Sequence, residues 1–530
     1  MNDVIIRGGD VLDGTGAPAR PADVVVRDGE IAEIAPRAAR DRDARPRDGE
    51  VLDATGLVVA PGFIDLHSHA DFSVQDHPAA DTAVHQGVTT LLGGNCGFSP
   101  FPVADAAALG RAAGFLASGL DITWTDLDGY AAAVEQDPPA INMAVQVGHQ
   151  ALRMAAVGAD ERPATAAELD RMRGLLSEAA AQGAFGFSTG LIYAPGSFAP
   201  SDEVAALATE AAAHGLLYST HMRDETGGLL AAVAEALDTA RRSGVRLEIS
   251  HLKAMGPANH GSVRAALAAI EDARAGGVDV TADVYPYTAS STTLTSRLPG
   301  WAMDGGPSRL LERLMERSTR TRIASRLRAR FGDDIDPAGV VVASLPDGPY
   351  SRFVGRDLIA IGAELGMDPA EAALELLAAH RATVSIVNHA MAPQDVATVL
   401  AHPLVSVASD GWTLRPSGAG RPHPRSFGTF ARVLGRYARE DGLLALPEAV
   451  RKMTSLPASR LGLADRGAIR SGLVADLAVF DPDTVLDRSD FADPWRLATG
   501  VRHVLVRGVP VLRDGTATGA RPGRVLRRSS

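Results

Sequence analysis

Eight short apolar runs, spaced through the middle of the chain by Ala/Leu/Glu/Arg-rich stretches, restrict the fold most. They fall at 63–67, 88–92, 141–147, 184–188, 215–220, 245–250, 278–284 and 404–408. Most of the segments between them are long enough for one helix, as at Glu168–Ala181 and Leu229–Arg242. Apolar strands alternating with helices require a parallel sheet covered on its outer face, and eight such units predict a TIM-like (β/α)8 barrel of the α/β class. More than 115 residues separate the seventh and eighth runs, so a segment is inserted at about 295–400. Its helical stretches, Arg309–Arg330 and Pro369–His380, predict a lid or an appended subdomain.

Both ends of the chain have a different texture. Val4-Ile5-Ile6, Val24-Val25-Val26 and Ile31–Ile34 read as strands with turns, and so do Ala475–Phe480 and Val504-Leu505-Val506. Strands at both ends predict one small β-sandwich domain assembled from residues 1–60 and 456–530, with the barrel spanning 61–455. The Ala/Arg/Asp-rich stretch 37–49 reads as a solvated loop.

Chemistry collects where the barrel strands end. The first leads into His67-Ser68-His69, whose alternate residues share one face. The second leads through Gly93-Gly94-Asn95 to Cys96, the fifth ends at His221, the sixth at His251, and the eighth runs into Ser409-Asp410-Gly411. Alone, a histidine after a strand usually satisfies a structural hydrogen bond, and a lone cysteine behaves as a small hydrophobe. Together, four histidines, a cysteine and an aspartate occupy the catalytic face of a barrel. Imidazole, thiolate and carboxylate suit Zn²⁺ best. Such a site, with a carboxylate nearby to manage protons, predicts metal-assisted hydrolysis. His149 follows the third strand and reads equally as a pocket residue or a structural hydrogen-bonder.

Charge, hydropathy and cysteine content exclude other classes of partner and leave the strand-end site to act on a small molecule. A formal charge of −12 argues against nucleic acid. No apolar run reaches the roughly 18 residues of a membrane helix, and Met1–Val4 lacks a signal-peptide pattern. One cysteine excludes an intramolecular disulfide, which makes the cytoplasm the expected compartment. An oligomer is left open. Only two of the 52 basic residues are lysines, Lys253 and Lys452.

These residues resemble the amidohydrolase superfamily, and within it the N-acyl-D-amino-acid deacylases. The resemblance rests on Pro61–His69, Gly94-Asn95-Cys96-Gly97, Ser250-His251-Leu252-Lys253, Tyr285-Pro286-Tyr287, Ser409-Asp410-Gly411, His423-Pro424-Arg425 and the closing segment Ala468–Asp481. It implies zinc-dependent hydrolysis of the amide of an N-acyl-D-amino acid. One tightly held Zn²⁺ is implied on Cys96, His221 and His251. His67, His69 and Asp410 would line a second site, weaker or empty, and Asp410 would act as general base and acid. Relatives that hydrolyse cyclic amides bridge two metals with a carboxylated lysine from the fourth strand. No lysine precedes residue 253 here, so the resemblance points to Cys96 as the candidate anionic ligand.

Lys253, Arg425, Tyr285 and Ser290 or Ser291 match positions resembling a clamp for the substrate carboxylate, and Tyr193 a further substrate contact. Hydrophobic and neutral D-side chains are the leading expectation, with D-glutamate admitted if Arg297 turns into the pocket. The alternatives are a cyclic amidase or dipeptidase on the same scaffold, and a non-catalytic oligomeric scaffold.

Overall fold

The computed structural model describes residues 3–36, 49–106 and 121–528. The loop expected at 37–49 therefore lies, but for its last residue, outside the described residues.

Eight parallel strands form the barrel: Phe63–Asp65, Val88–Gly93, Asn142–Gly148, Gly186–Gly190, Leu217–His221, Arg246–Ile249, Val280–Val284 and Val405–Val407. Each pairs with its neighbour in chain order around the sheet. All eight expected runs become strands, each within two residues of its expected bounds. The first strand stops early because its polar end turns into the mouth. The seam between the first and last strands closes beyond their ends. There Ser68 bridges Gly411, Asp410 N–H donates to His67 O at 2.7 Å, and His69 N–H donates to Gly411 O at 2.8 Å. The barrel is thus sealed at the level of its ligand candidates.

The helices follow their local signals. Ala166–Ala181 starts at Thr165 in a capping box with Glu168, and buries Met172, Leu176, Ala179 and Ala180 on one stripe. Leu229–Ser243 stops at Gly244, whose φ of 71° is the left-handed cap that glycine adopts most cheaply. The floor of the barrel is packed by Ile64, Leu66, Leu92, Phe185 and Leu217, and is closed by Ala458, Leu461 and Leu526. The segment carrying Leu526 hydrogen-bonds along the strand ends, with Leu526 N–H to Met143 O at 2.7 Å and Arg528 N–H to Gly183 O at 3.0 Å.

Both chain ends build one nine-stranded sheet, joined where Val58–Pro61 pairs antiparallel with Leu477–Phe480. Strand alternation splits its apolar residues between two faces. Val59, Leu477, Val479 and Leu505 enter the sheet's own core. Val58, Ala60, Ala478, Phe480, Val504 and Val506 pack against the barrel.

The long insertion departs from its expected helical content. It contains a three-stranded antiparallel sheet of Ala289–Thr293, Val340–Ser344 and Ser385–His389. The first of these, Ala-Ser-Ser-Thr-Thr, carries no apolar alternation to announce it. The helix expected over Arg309–Arg330 is two helices, Gly306–Met315 and Arg317–Arg328. Glu316 breaks it with an extended backbone, and its carboxylate accepts the hydroxyls of Ser318 at 2.6 Å and Thr319 at 2.7 Å. Among the described residues, no helix is long and apolar enough to cross a membrane.

Candidate metal centre

The Cys96 turn is built tightly against its neighbours. Gly94 and Gly97 flank it with positive φ, and Cys96 itself sits at φ 54°. A Cβ on Gly94 would lie 2.1 Å from the Gln146 carbonyl oxygen, so no larger residue fits. Asn95 donates to Leu92 O at 2.8 Å and accepts from Gln146 at 2.9 Å. These bonds aim the thiol into the mouth of the barrel.

There it meets the histidines. Cys96 Sγ lies 3.3 Å from His67 Nε2, 3.5 Å from His251 Nε2 and 3.6 Å from His221 Nδ1. Asp410 Oδ1 is 3.1 Å from His69 Nε2 and 3.5 Å from His67 Nε2. Two overlapping ligand groups result, Cys96/His221/His251 and His67/His69/Cys96/Asp410, with ligand atoms in each group within 4.8 Å of one another. Cys96 belongs to both. All six sequence-predicted ligands are buried and converge at one point.

The spacing fits a metal ion. With Zn–S of about 2.3 Å and Zn–N of about 2.05 Å, a tetrahedral angle separates thiolate from imidazole nitrogen by about 3.5 Å. Cys96 stands at that separation from His221 and His251. Burial pushes His67 down to about 3, which keeps the imidazole neutral, the form that binds metals. Burial pushes the Cys96 thiol well up, so the thiolate needs a cation beside it. Burial also raises Asp410, but Arg425 and His67 outweigh it and hold this carboxyl well below the usual range.

A cavity of about 360 Å³ opens onto this cluster and joins a larger chamber of about 680 Å³ past Phe98, Tyr193, Glu225, Met255 and Arg297. The model of the amidohydrolase family matches residues 50–512.

The chain belongs to the amidohydrolase family.

Among amidohydrolases it is similar to the N-acyl-D-glutamate deacylase of Alcaligenes xylosoxydans xylosoxydans, 40% identical over 100% of this chain and 97% of that one. It is similar also to the D-aminoacylase of the same organism, at 38% over 100% and 98%. The crystal structure of N-acyl-D-glutamate deacylase from Bordetella bronchiseptica, complexed with zinc and a phosphonate inhibitor that mimics the tetrahedral intermediate, superposes with a TM-score of 0.83. That pair is 39% identical, over 99% of each chain.

The other predicted residues of this amidohydrolase divide. Tyr285, Ser290, Ser291, Lys253, Arg425 and Tyr193 all line the smaller cavity. Arg425 Nη1 pairs with Asp410 Oδ2 at 2.7 Å, its guanidinium carbon lies 4.9 Å from the Tyr285 ring, and Nη2 donates to Ser291 O at 3.3 Å. The Tyr285 hydroxyl is buried without a hydrogen-bond partner. The Tyr193 ring stands edge-on to His221 at 5.0 Å, with its hydroxyl 3.0 Å from Thr292 Oγ1. His149 is not brought to the site. Its Nε2 lies 2.9 Å from Glu203, behind the barrel wall, and it lines neither cavity.

Sequence reasoning missed Glu225. This buried carboxylate reaches His251 Nδ1 at 3.2 Å, His221 Nε2 at 3.5 Å and Lys253 Nζ at 2.5 Å. Burial raises its pKa, and His221, Lys253 and His251 outweigh burial and hold it well below the usual range. A carboxylate on the far nitrogen fixes the tautomer and aim of a ligand imidazole, and here one serves two rings. Its only signal in the sequence is an acidic residue four positions after His221. Lys253, expected on the substrate, is engaged by this carboxylate.

Arg297 does turn inward. It is 4% exposed, lines both cavities, and donates from Nε to the Ser296 hydroxyl at 3.2 Å. Among the described residues no carboxylate pairs with it. Burial and the neighbouring Arg330 lower its pKa, and Tyr193, Glu225 and Asp334 offset only part of this.

Proposed function

We propose that this amidohydrolase hydrolyses the amide of N-acyl-D-amino acids with Zn²⁺, and that its preferred substrates carry an acidic side chain. Cys96, His221 and His251 hold the main ion, and His67, His69 and Asp410 line a second, weaker position. When bound, Zn²⁺ polarises the scissile carbonyl and makes water a nucleophile near neutral pH.

The chain's own groups do the rest. Asp410, kept ionised by Arg425 at 2.7 Å, takes a proton from the attacking water and delivers it to the amine nitrogen as the C–N bond breaks. The products are a carboxylate and a free D-amino acid. Tyr285, with its unpartnered hydroxyl, Arg425 and Ser290 receive the α-carboxylate. Glu225 holds His221 and His251 in register. Phe98 and Tyr193 set apolar surface beside Cys96 at the passage to the larger chamber, where low polarity strengthens every charge interaction. D over L selection is drawn from the relatives alone.

The observation that carries the acidic preference is Arg297, a buried guanidinium at the neck of two joined cavities that no carboxylate among the described residues pairs with. This favours the acidic option, left open on the condition that Arg297 turns into the pocket, over the leading expectation of hydrophobic side chains. A buried unpaired charge is costly, and a substrate carboxylate removes the cost. The similarity to N-acyl-D-glutamate deacylase supports the same reading. Release of free amino acid from N-acetyl-D-Glu, D-Asp, D-Leu and L-Glu tests it. The acidic D-substrates should be fastest, and Arg297→Ala should depress them selectively. A faster D-Leu reaction overturns the acidic preference, and silence on every D-substrate overturns the deacylase.

A further inference from the structure

The metal cavity presents three different walls to the cluster of Cys96, His221, His251 and Asp410. One is polar and cationic, built from Tyr285, Ser290 and Arg425. A second is the neck at Arg297, leading to the larger chamber. The third is apolar, formed by Phe72, Trp412, Leu414 and Trp495.

This third wall is rigid and adjoins the cluster. Phe72 packs with Cys96 and Phe98 in one buried apolar group, and Trp412 lies against it. The Trp412 ring stands 5.9 Å from the His69 ring. The backbone of Trp412 is pinned at both groups, its N–H donating to Ser426 Oγ at 3.1 Å and its carbonyl accepting from Thr82 Oγ1 at 3.1 Å. The one polar atom of the Trp495 ring is spent, donating to Gly420 O at 3.2 Å. Charge returns only at the rim, with Asp76, His77 and Arg421.

An N-acyl-amino acid has three arms about its scissile amide: the α-carboxylate, the side chain and the acyl chain. The first two match the cationic wall and the Arg297 neck. A trans amide sends the acyl chain away from both, since they share the carbon on the far side of the nitrogen. We propose that Phe72, Trp412, Leu414 and Trp495 form the acyl subsite, and that it takes aliphatic acyl groups longer than acetyl. The inference rests on the deacylase reading. A wall without free donors or acceptors penalises a polar acyl group, and rewards each buried methylene by up to about fourfold in binding.

The test has two arms. In the first, kcat/KM is measured for N-acetyl-, N-butyryl- and N-hexanoyl-D-glutamate. Wild type should favour hexanoyl over acetyl by about tenfold or more. Trp412→Ala and Leu414→Trp should each collapse that ratio towards one, the first by removing the wall and the second by filling the space. Leu298→Trp, in the larger chamber, should leave the ratio in place. In the second arm, acetate and hexanoate, the acyl products, are titrated against zinc-loaded protein with tryptophan fluorescence as readout. Hexanoate should bind more tightly, and Trp412→Phe should remove its signal.

A flat acyl-length profile in wild type overturns the subsite. So does a ratio unmoved by both wall variants, or one moved by Leu298→Trp instead. If wild type hydrolyses no D-substrate, the deacylase reading falls, and the carboxylate titration alone decides the subsite.

Discussion

Asp65 and Ser409 join the first and last barrel strands immediately beneath the metal cluster. The Asp65 carboxylate accepts the Ser409 N–H at 2.9 Å and also its hydroxyl, and takes the His67 N–H at 3.2 Å. One side chain therefore holds the strand that carries His67 and His69 to the turn that presents Asp410. Asp410 sits at φ 50°, a conformation non-glycine residues avoid unless their surroundings enforce it.

Asp65→Asn can keep an oxygen for the His67 and Ser409 N–H groups but takes away the oxygen that accepts the Ser409 hydroxyl, so that bond is lost or reversed. The variant should keep its zinc and lose about 10- to 100-fold in kcat, with KM nearly constant. Metal content by mass spectrometry and a Michaelis curve decide it. Loss of zinc together with activity would show that Asp65 serves only the fold.

Cys96→Ser removes the sulfur shared by both ligand groups. A hydroxyl is a far poorer zinc ligand than a thiolate, so the purified variant should carry well under the roughly one zinc per chain expected of wild type. Full zinc occupancy in the serine protein excludes Cys96 as the anchor.

Asp410→Asn should retain zinc on Cys96, His221 and His251 while kcat drops by about 10²- to 10⁴-fold, the usual contribution of a proton-transfer group. Near-normal turnover removes Asp410 from the proton path.

Glu225→Gln leaves both imidazoles without their carboxylate and Lys253 without its partner. Zinc affinity, measured by competition with a chelator, should weaken by about 10- to 100-fold. An unchanged affinity means the rings are aimed by packing alone.

Away from the site, Glu203 binds Arg153 Nη1 at 2.6 and 2.7 Å and lies 2.9 Å from His149, tying helix His149–Ala156 to helix Ser201–Ala213. Burial raises the Glu203 carboxyl, but His149 and Arg153 outweigh it and bring it from 4.5 to about 2. A depressed carboxylate pKa stabilises fully above its unfolded value, and the stabilisation drains away as pH falls from 4.5 towards 2. Its size is on the order of 2 kcal/mol after screening. Glu203→Gln should melt well below wild type at about pH 7, with the gap shrinking towards about pH 3. Calorimetry across that range reads it, and a constant gap contradicts the linkage.

The barrel was legible because each strand is an apolar run with a distinct end. The same ends carried His67, Cys96, His221, His251 and Asp410, so the cluster followed from the fold. What was not legible depended on partners distant in sequence. His149 is captured by Glu203, 54 residues away, and nothing beside it in the sequence says so. Glu225 acts through ligands on two strands. The strand Ala289–Thr293, which brings Ser290 and Ser291 to the cavity, lacks the apolar alternation that marks a strand. Arg297 could be placed near the pocket, but that no carboxylate among the described residues pairs with it is a three-dimensional property.

The segment around Leu526 that closes the barrel floor bears on how the enzyme is made. A ribosome delivers residues 63–407 well before 523–528, so all eight staves can be in place while the base is still missing. The floor under Ile64 and Leu66 is completed only by chain that lies more than a hundred residues beyond the last strand, so the barrel's base is the part of the cup laid down after all its staves.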